Sequence, residues 1–252
     1  MHNQKRTILV GLRQKRTLLI LSILFPCFVV ATPASAEWFT DLYLGGAFTE
    51  KHDVDTDFAG AQITARDVSF DKSFVGGVRG GYWFPWDLGP LNFGVGLDIW
   101  HFRPDIGRQT RSFCGRFCIS GQFDDLDLFV TALGFDAMFR FSLLKSSEFP
   151  RGQLQPYITV GPAIFATYAE DRRNFEPSEQ DDTDASVGVK VGAGVVWQFT
   201  KLVGMFGEYR YTHFSPEFKF NDNTRGTAKV STDINTHYVL MGSRCASNAG
   251  SS

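Results

Sequence analysis

The sequence predicts an all-β chain that folds as an eight-stranded antiparallel up-and-down β-barrel and crosses a membrane with its strands. Three observations lead to this prediction. Apolar side chains alternate with polar or small ones along many segments, which is the period of a strand with one apolar face. The connections between these segments alternate between short and long, and the face opposite the apolar one carries charges of both signs.

The alternation is plainest in residues 91–99, where large apolar residues occupy every second position from Leu91 to Ile99 and small or polar residues stand between them. Most of the segments with this period are long enough to cross a bilayer at a tilt, which takes about 9 to 11 residues. The period predicts eight strands, at 38–49, 72–84, 91–102, 127–143, 153–168, 185–199, 202–214 and 234–244.

The connections differ in length in a regular way. Short ones lie at 85–89, at 144–152 and around Thr200 and Lys201. Short turns at one end and long loops at the other are typical of outer-membrane barrels, whose short turns face the periplasm. We therefore expect four long polar loops on the extracellular side, at 50–71, 103–126, 169–184 and 215–233.

The face opposite the apolar one decides between a membrane barrel and a soluble sandwich or lipocalin-like barrel. A soluble barrel buries its apolar face, and these charges would then be exposed. In a membrane barrel they point into an interior that eight strands leave just wide enough for side chains to fill, and buried charges are tolerated there only if they are paired. The sequence predicts a closed lumen with an ion network of Asp41, Arg79, Asp98, Asp136, Arg140, Lys190, Glu208 and Arg210.

Residues 1–36 have the pattern of a secretory signal peptide. They contain five basic residues and no acid, then an apolar run from Leu18 to Val30, then the small residues Ala34, Ser35 and Ala36, in the order that export signals require. Without them, 20 of the 25 basic residues remain against 27 acidic ones, a net charge of −7. This balance argues against a nucleic-acid partner, because phosphate binding needs a basic patch.

Four segments carry a resemblance to a known family: DLYLGGAF at 41–48, FVGGVRGGYWF at 74–84, QPYITVGPAIF at 155–165 and FGEYRYTHF at 206–214. They resemble the OmpA-like or Opa-like eight-stranded outer-membrane barrels of Gram-negative bacteria. The resemblance implies a barrel domain at 37–244 in the cell outer membrane, in contact with lipid and lipopolysaccharide and monomeric. The chain differs from the family at its C-terminal end. The last strand of such barrels usually finishes on Phe or Trp, whereas this chain has an atypical tail at 245–252.

Family members include structural barrels, adhesins, small channels and a few enzymes. We expect a structural or surface-interaction role with an unknown loop ligand, no enzymatic activity and no cofactor. A small porin-like channel is one alternative. Another is a lipid A deacylase-like hydrolase, because that family carries a His-x-Ser pair near the end of a late strand and His213 and Ser215 have this spacing. Against it, Glu208 points by strand parity to the opposite face from the pair.

Two further motifs lie in the predicted loops. Cys114 and Cys118 are close in sequence in an exported chain, so a local disulfide is expected. Asp53, Asp55 and Asp57 resemble the start of a calcium loop, but the Gly and Glu that the pattern needs afterwards are absent. No metal site is therefore predicted.

Overall fold

The structure is a computed structural model. It describes residues 37–58, 61–70, 72–86, 89–104, 109–114, 118–123, 126–171, 183–222 and 226–247. The predicted signal peptide at 1–36 lies outside the described residues, as do residues 248–252 of the predicted tail. No helix long and apolar enough to cross a membrane occurs in the described ranges.

The described chain is built of strands. They are β1 Glu37–Thr49, β2 His52–Phe58, β3 Ala61–Val68, β4 Ser73–Trp83, β5 Leu91–Phe102, β6 Gln109–Cys114, β7 Cys118–Phe123, β8 Leu126–Phe141, β9 Leu154–Asp171, β10 Thr183–Gln198, β11 Val203–Phe214, β12 Glu217–Asp222, β13 Gly226–Thr232 and β14 Ile234–Ala246.

Eight of these strands form a closed barrel in the order β1-β14-β11-β10-β9-β8-β5-β4, and all the neighbours are antiparallel. The predicted fold class is confirmed, and the eight predicted strands match the barrel strands to within three residues at each end. β1 closes the barrel by pairing with both β14 and β4. Closure leaves no unpaired edge in the barrel wall, as a membrane requires of a β-structure.

The last strand is longer than predicted. Ala246 pairs with Phe39, and the Ser247 N–H donates to the Trp38 carbonyl over 2.8 Å. β14 therefore passes the expected boundary at 244, and Cys245 lies half-buried within it. The first residues of the predicted tail belong to the barrel wall.

Three of the four segments predicted as polar loops contain strands instead. β2 with β3, β6 with β7, and β12 with β13 each form a hairpin. These hairpins join edge to edge into a six-stranded sheet in the order β12-β13-β2-β3-β6-β7. The alternating acids Asp53, Asp55 and Asp57, which resembled a calcium loop, fall on β2, where a period of two is the ordinary strand period. Cys114 and Cys118 form a disulfide across the β6–β7 hairpin.

Strand parity separates two faces of the barrel wall. On β11, Gly204, Phe206, Glu208 and Arg210 are buried, and the residues between them are largely exposed. The exposed set around the barrel is apolar, and in a soluble protein it would form a patch far beyond the few hundred Å² usually seen. It includes Leu42, Leu44, Val78, Val95, Leu97, Ile99, Phe135, Ile158, Val160, Ile164, Val189, Val191, Val195, Met205, Val239 and Met241.

Aromatic side chains ring the outer wall at the turn end, where an interfacial girdle is expected. Trp38, Trp86, Phe141, Trp197 and Phe199 are 42–55% exposed. Trp83, in contrast, is only 1% exposed. It has the inward parity of Arg79 on β4, so its indole packs inside the barrel.

Candidate functional site

The register of β1 brings opposite charges together inside the barrel. Asp41 stands directly opposite Arg244 on β14 and directly opposite Arg79 on β4, at the short range of cross-strand neighbours. Arg244 forms a bidentate ion pair with Asp41, in which the Nε–Oδ1 and Nη2–Oδ2 distances are both 2.7 Å. Arg79 approaches the same carboxylate, with its Nη2 2.9 Å from Oδ2. Asp41 on β1 therefore forms ion pairs with both neighbouring strands, β14 and β4.

The contacts continue across the lumen to β11. Arg79 Nη1 lies 2.8 Å from Glu208 Oε2, and Arg210 Nη2 lies 2.8 Å from Glu208 Oε1. Glu208 and Arg210 share the inward face of β11 because they are two residues apart. The Glu208 carboxylate is thus held between two guanidinium groups.

The remaining contacts reach three further strands. Arg210 Nη2 lies 2.9 Å from Asp98 Oδ2, and Lys190 Nζ lies 2.7 Å from the same oxygen. Lys190 also lies 2.8 Å from Asp136 Oδ2. The result is a single series of alternating charges, which we call the ion chain: Arg244, Asp41, Arg79, Glu208, Arg210, Asp98, Lys190 and Asp136.

Two tyrosine hydroxyls donate hydrogen bonds to acids of the ion chain. The Tyr157 hydroxyl donates to Glu208 over 2.6 Å, and the Tyr43 hydroxyl donates to Asp98. Tyr157 brings in β9, whose inward face supplies no member of the ion chain. Gly77 makes room for Tyr43, because a Cβ at position 77 would lie 2.5 Å from the tyrosine oxygen.

The ion chain is electrically neutral and fully buried. It contains four bases and four acids, and all eight side chains are 0% exposed. Burying one such charge alone costs several kcal/mol, and the cost is offset only when every charge has close partners. The alternation gives each internal member of the chain two opposite neighbours, so that the barrel is filled without a net buried charge.

A second ionic group lies nearer the turn end. Arg140 and Arg151 both approach Oε2 of Glu37, at 2.5 Å and 3.1 Å. Arg140 was predicted to join the same network as Lys190 and Asp136. Its side chain does point into the barrel, but it pairs with Glu37 and stacks over the Trp83 ring at 4.3 Å. Among the described residues it forms no ion pair with a member of the ion chain.

Sequence reasoning missed two interior charges, Glu37 and Arg244. Both have the inward parity of their strands, shared with Asp41 on β1 and with Tyr238 on β14. The signal was therefore present, and extending the alternation to the ends of both strands would have found them.

An apolar layer covers the ion chain on the side of the six-stranded sheet. Trp100, Phe102, Phe165, Phe214 and Tyr238 are at most 1% exposed. Phe165 stacks on Phe214 with ring centroids 3.9 Å apart, and Phe102 meets Tyr238 edge-on at 5.3 Å. The lumen is therefore filled by ionic packing in the middle and by aromatic packing above it.

The structure does not assemble His213 and Ser215 into a nucleophile and base. The Ser215 hydroxyl donates to Asp233 over 2.5 Å. His213 Nδ1 lies 2.6 Å from Asn235 Oδ1, on the outward face of β11. Nucleophilic catalysis needs the serine within hydrogen-bond reach of its base, and no hydrogen bond joins these two described side chains.

His213 instead belongs to a polar cluster on the outer wall near the end of β1. Glu50 accepts from Asn235 Nδ2 at 3.2 Å and lies 2.9 Å from His237 Nε2. Hydrogen bonds from His237 and then from Asn235 lower the pKa of the Glu50 carboxyl from its ordinary value. Within the described residues, no three or more His, Cys, Asp or Glu side chains are grouped in a way that could hold a metal ion.

A closed β-barrel with an apolar outer wall, an aromatic ring at one end and paired charges inside is a transmembrane barrel of the outer-membrane class. The chain belongs to the family of the outer membrane protein beta-barrel domain, whose model matches residues 21–237. Family membership locates the protein in the outer membrane, and the resemblance noted in the sequence is confirmed.

Solved structures of other proteins resemble the chain in fold. The chain is similar to the outer membrane protein OprG from Pseudomonas aeruginosa, with 14% identity, a TM-score of 0.56, and coverage of 85% of this chain and 97% of that one. It is also similar to neisserial surface protein A, with 15% identity, a TM-score of 0.43, and coverage of 85% and 99%. The likeness to OprG supports the fold alone. No curated protein sequence matches the chain significantly.

Proposed function

We propose that this protein is a closed outer-membrane barrel with a structural role and a surface-interaction role, and that it has no enzymatic activity. The observation that carries the proposal is the unbroken ion chain, because its eight side chains are fully buried and reach across the lumen. An aqueous pore would need these side chains to be hydrated. The aromatic layer around Trp100 and Phe165 adds a second closure.

The surface role is assigned to the six-stranded sheet. Its hairpins leave the barrel between β1 and β4, between β5 and β8, and between β11 and β14, at the end opposite the short turns. In outer-membrane barrels this end faces the cell exterior. A paired sheet presents a more fixed surface to a ligand than separate loops do, because less conformational entropy is lost on binding. Lipid and lipopolysaccharide surround the barrel, which works as a monomer.

Planar-bilayer recording tests the closed lumen. Refolded wild-type protein should insert without discrete conductance steps, whereas the double variant Lys190→Ala, Arg210→Ala should show steps, because removing two long side chains leaves space and unpaired acids that attract water and cations. Val191→Ala is the matched control, since Val191 follows Lys190 on β10 but is exposed on the outer wall. Stable steps from the wild type would contradict the closed lumen and favour the channel alternative.

The absence of enzymatic activity has its own test. Lipid A incubated with the folded protein should keep its acyl chains, and Ser215→Ala should behave identically, because the Ser215 hydroxyl donates to Asp233 and not to His213. Deacylated product from the wild type that disappears with Ser215→Ala would overturn this part of the proposal.

A further inference from the structure

A cavity of about 200 Å³ opens at the turn end of the barrel. Its polar wall contains Arg140, Arg151 and Lys145, and its aromatic wall contains Trp83 and Trp86. The volume is below the range of about 300 to 1,000 Å³ that holds drug-sized ligands. The cavity is therefore suited to one small chemical group.

The described charges around this cavity do not balance. Glu37 is the one acid among the described lining residues, and it faces Arg140 and Arg151 through a single oxygen, Oε2. Lys145 adds a third positive charge, and within the described part of the chain it donates to the Gly89 carbonyl alone, over 3.4 Å. Asp87 lies outside the described residues. The described lining residues therefore supply three cations and one carboxylate, an excess of positive charge.

Arg151 is the side chain best placed to meet an anion. It is 26% exposed on its side chain, and its contacts with other described residues use Nη1 alone, which leaves the Nε and Nη2 donors for a ligand. Burial lowers the pKa of the Arg151 guanidinium, Glu37 raises it, and the neighbouring Arg140 lowers it further. A bound anion would relieve that repulsion.

The aromatic wall connects the cavity to the membrane surface. Trp86 stacks on Phe84 with ring centroids 4.8 Å apart and on Phe93 at 5.7 Å, and Trp86 belongs to the exposed ring at the turn end. Aromatic residues of this ring sit at the level of lipid headgroups. The mouth of the cavity therefore lies beside the headgroups of the adjacent leaflet.

We propose that this cavity binds a phosphate group through Arg151 and Lys145, with Arg140 as the fixed charge behind them. Guanidinium groups bind phosphate oxygens in a bidentate geometry, and the cavity has room for one phosphate group. The phosphate comes from a phospholipid headgroup of the adjacent leaflet or from a soluble phosphate. The two sources share the same chemistry and differ in what the acyl chains add.

Tryptophan fluorescence measures binding, because Trp83 and Trp86 line the cavity. The protein is refolded in an uncharged glycoside detergent and titrated with inorganic phosphate in one arm and with short-chain phosphatidylglycerol in the other. Arg151→Gln and Lys145→Gln should each raise the dissociation constant about tenfold or more, the effect of losing one charge-assisted hydrogen bond. Arg103→Gln is the control, because Arg103 is exposed at the opposite end of the barrel and stacks on Phe129.

The titrations show whether the cavity binds phosphate and which source supplies it. Migration as the folded band on unheated gels confirms beforehand that each variant is folded. Equal affinity for both probes identifies the soluble anion as the ligand, and much tighter binding of phosphatidylglycerol identifies the headgroup. Saturation by neither probe, or saturation that Arg151→Gln and Lys145→Gln leave unchanged, overturns the proposal. A closed lumen is not required for any of these results, so the proposed function stands or falls separately.

Discussion

Glu208→Gln is the substitution that isolates the electrostatic contribution of the ion chain. The glutamine has the same shape, so no cavity forms, but the carboxylate charge between Arg79 and Arg210 is lost. Glu208 lies 2.8 Å from each guanidinium and also accepts from Tyr157. Removing one partner of a buried ion pair costs about 3 to 5 kcal/mol, because it leaves an uncompensated buried charge. Glu208 has two such partners, so we expect the upper part of this range.

The assay is unfolding by urea in lipid vesicles, followed by the loss of the compact band on unheated gels and by circular dichroism. Glu148→Gln is the matched control, since it makes the same chemical change at an exposed position in a turn and should alter the free energy of unfolding by about 0.5 kcal/mol at most. If Glu208→Gln were as mild as Glu148→Gln, the stabilising role of the ion chain would be refuted.

Three further predictions concern the space around Lys190, the six-stranded sheet and the polar cluster at Glu50. Gly134→Ala should lower the free energy of unfolding by about 1 to 3 kcal/mol, because the new Cβ would lie 3.0 Å from Lys190 Nζ. Gly80→Ala is the control and should be neutral, because its Cβ would have no neighbouring atom within 4 Å. Unfolding by urea measures both variants. Reducing the disulfide of the β6–β7 hairpin should leave the midpoint for barrel unfolding unchanged, since the barrel closes without that hairpin; a shifted midpoint would show coupling. Glu50, whose pKa is lowered in the folded state, should stabilise the fold above its ordinary pKa and lose this contribution as the pH falls through the lowered value. The effect is small because the group is exposed, and Glu50→Gln should abolish it in melting curves between pH 6 and pH 3.

The barrel could be predicted because a period of two fixes which residues share a face. Parity alone placed Asp98, Lys190 and Arg210 on the same side of their strands. Parity does not give the height of a residue along the barrel, which depends on the stagger between neighbouring strands. Arg140 has the correct face but lies four residues nearer the turn end than Asp136, and for this reason it pairs with Glu37 rather than with the ion chain.

The outer sheet could not be predicted in the same way. Its strands are six to eight residues long, and polar residues are frequent in several of them, so composition favoured loops. Their pairing partners come from hairpins far apart in sequence, as with β13 and β2. The barrel brings these hairpins together and so determines which of them pair. The local sequence pattern of one hairpin does not predict its pairing with another.

A double-mutant cycle between Asp41 and Arg244 tests the central claim most directly. The pair joins β1 to β14 through two contacts of 2.7 Å, at one end of the ion chain. We predict that Asp41→Asn and Arg244→Met each destabilise the barrel and that the double variant is less destabilised than their sum by at least about 1.5 kcal/mol, within the range measured for residues of one buried network. Effects that add to within about 0.5 kcal/mol, as for independent sites, would contradict an ion chain that holds the barrel closed.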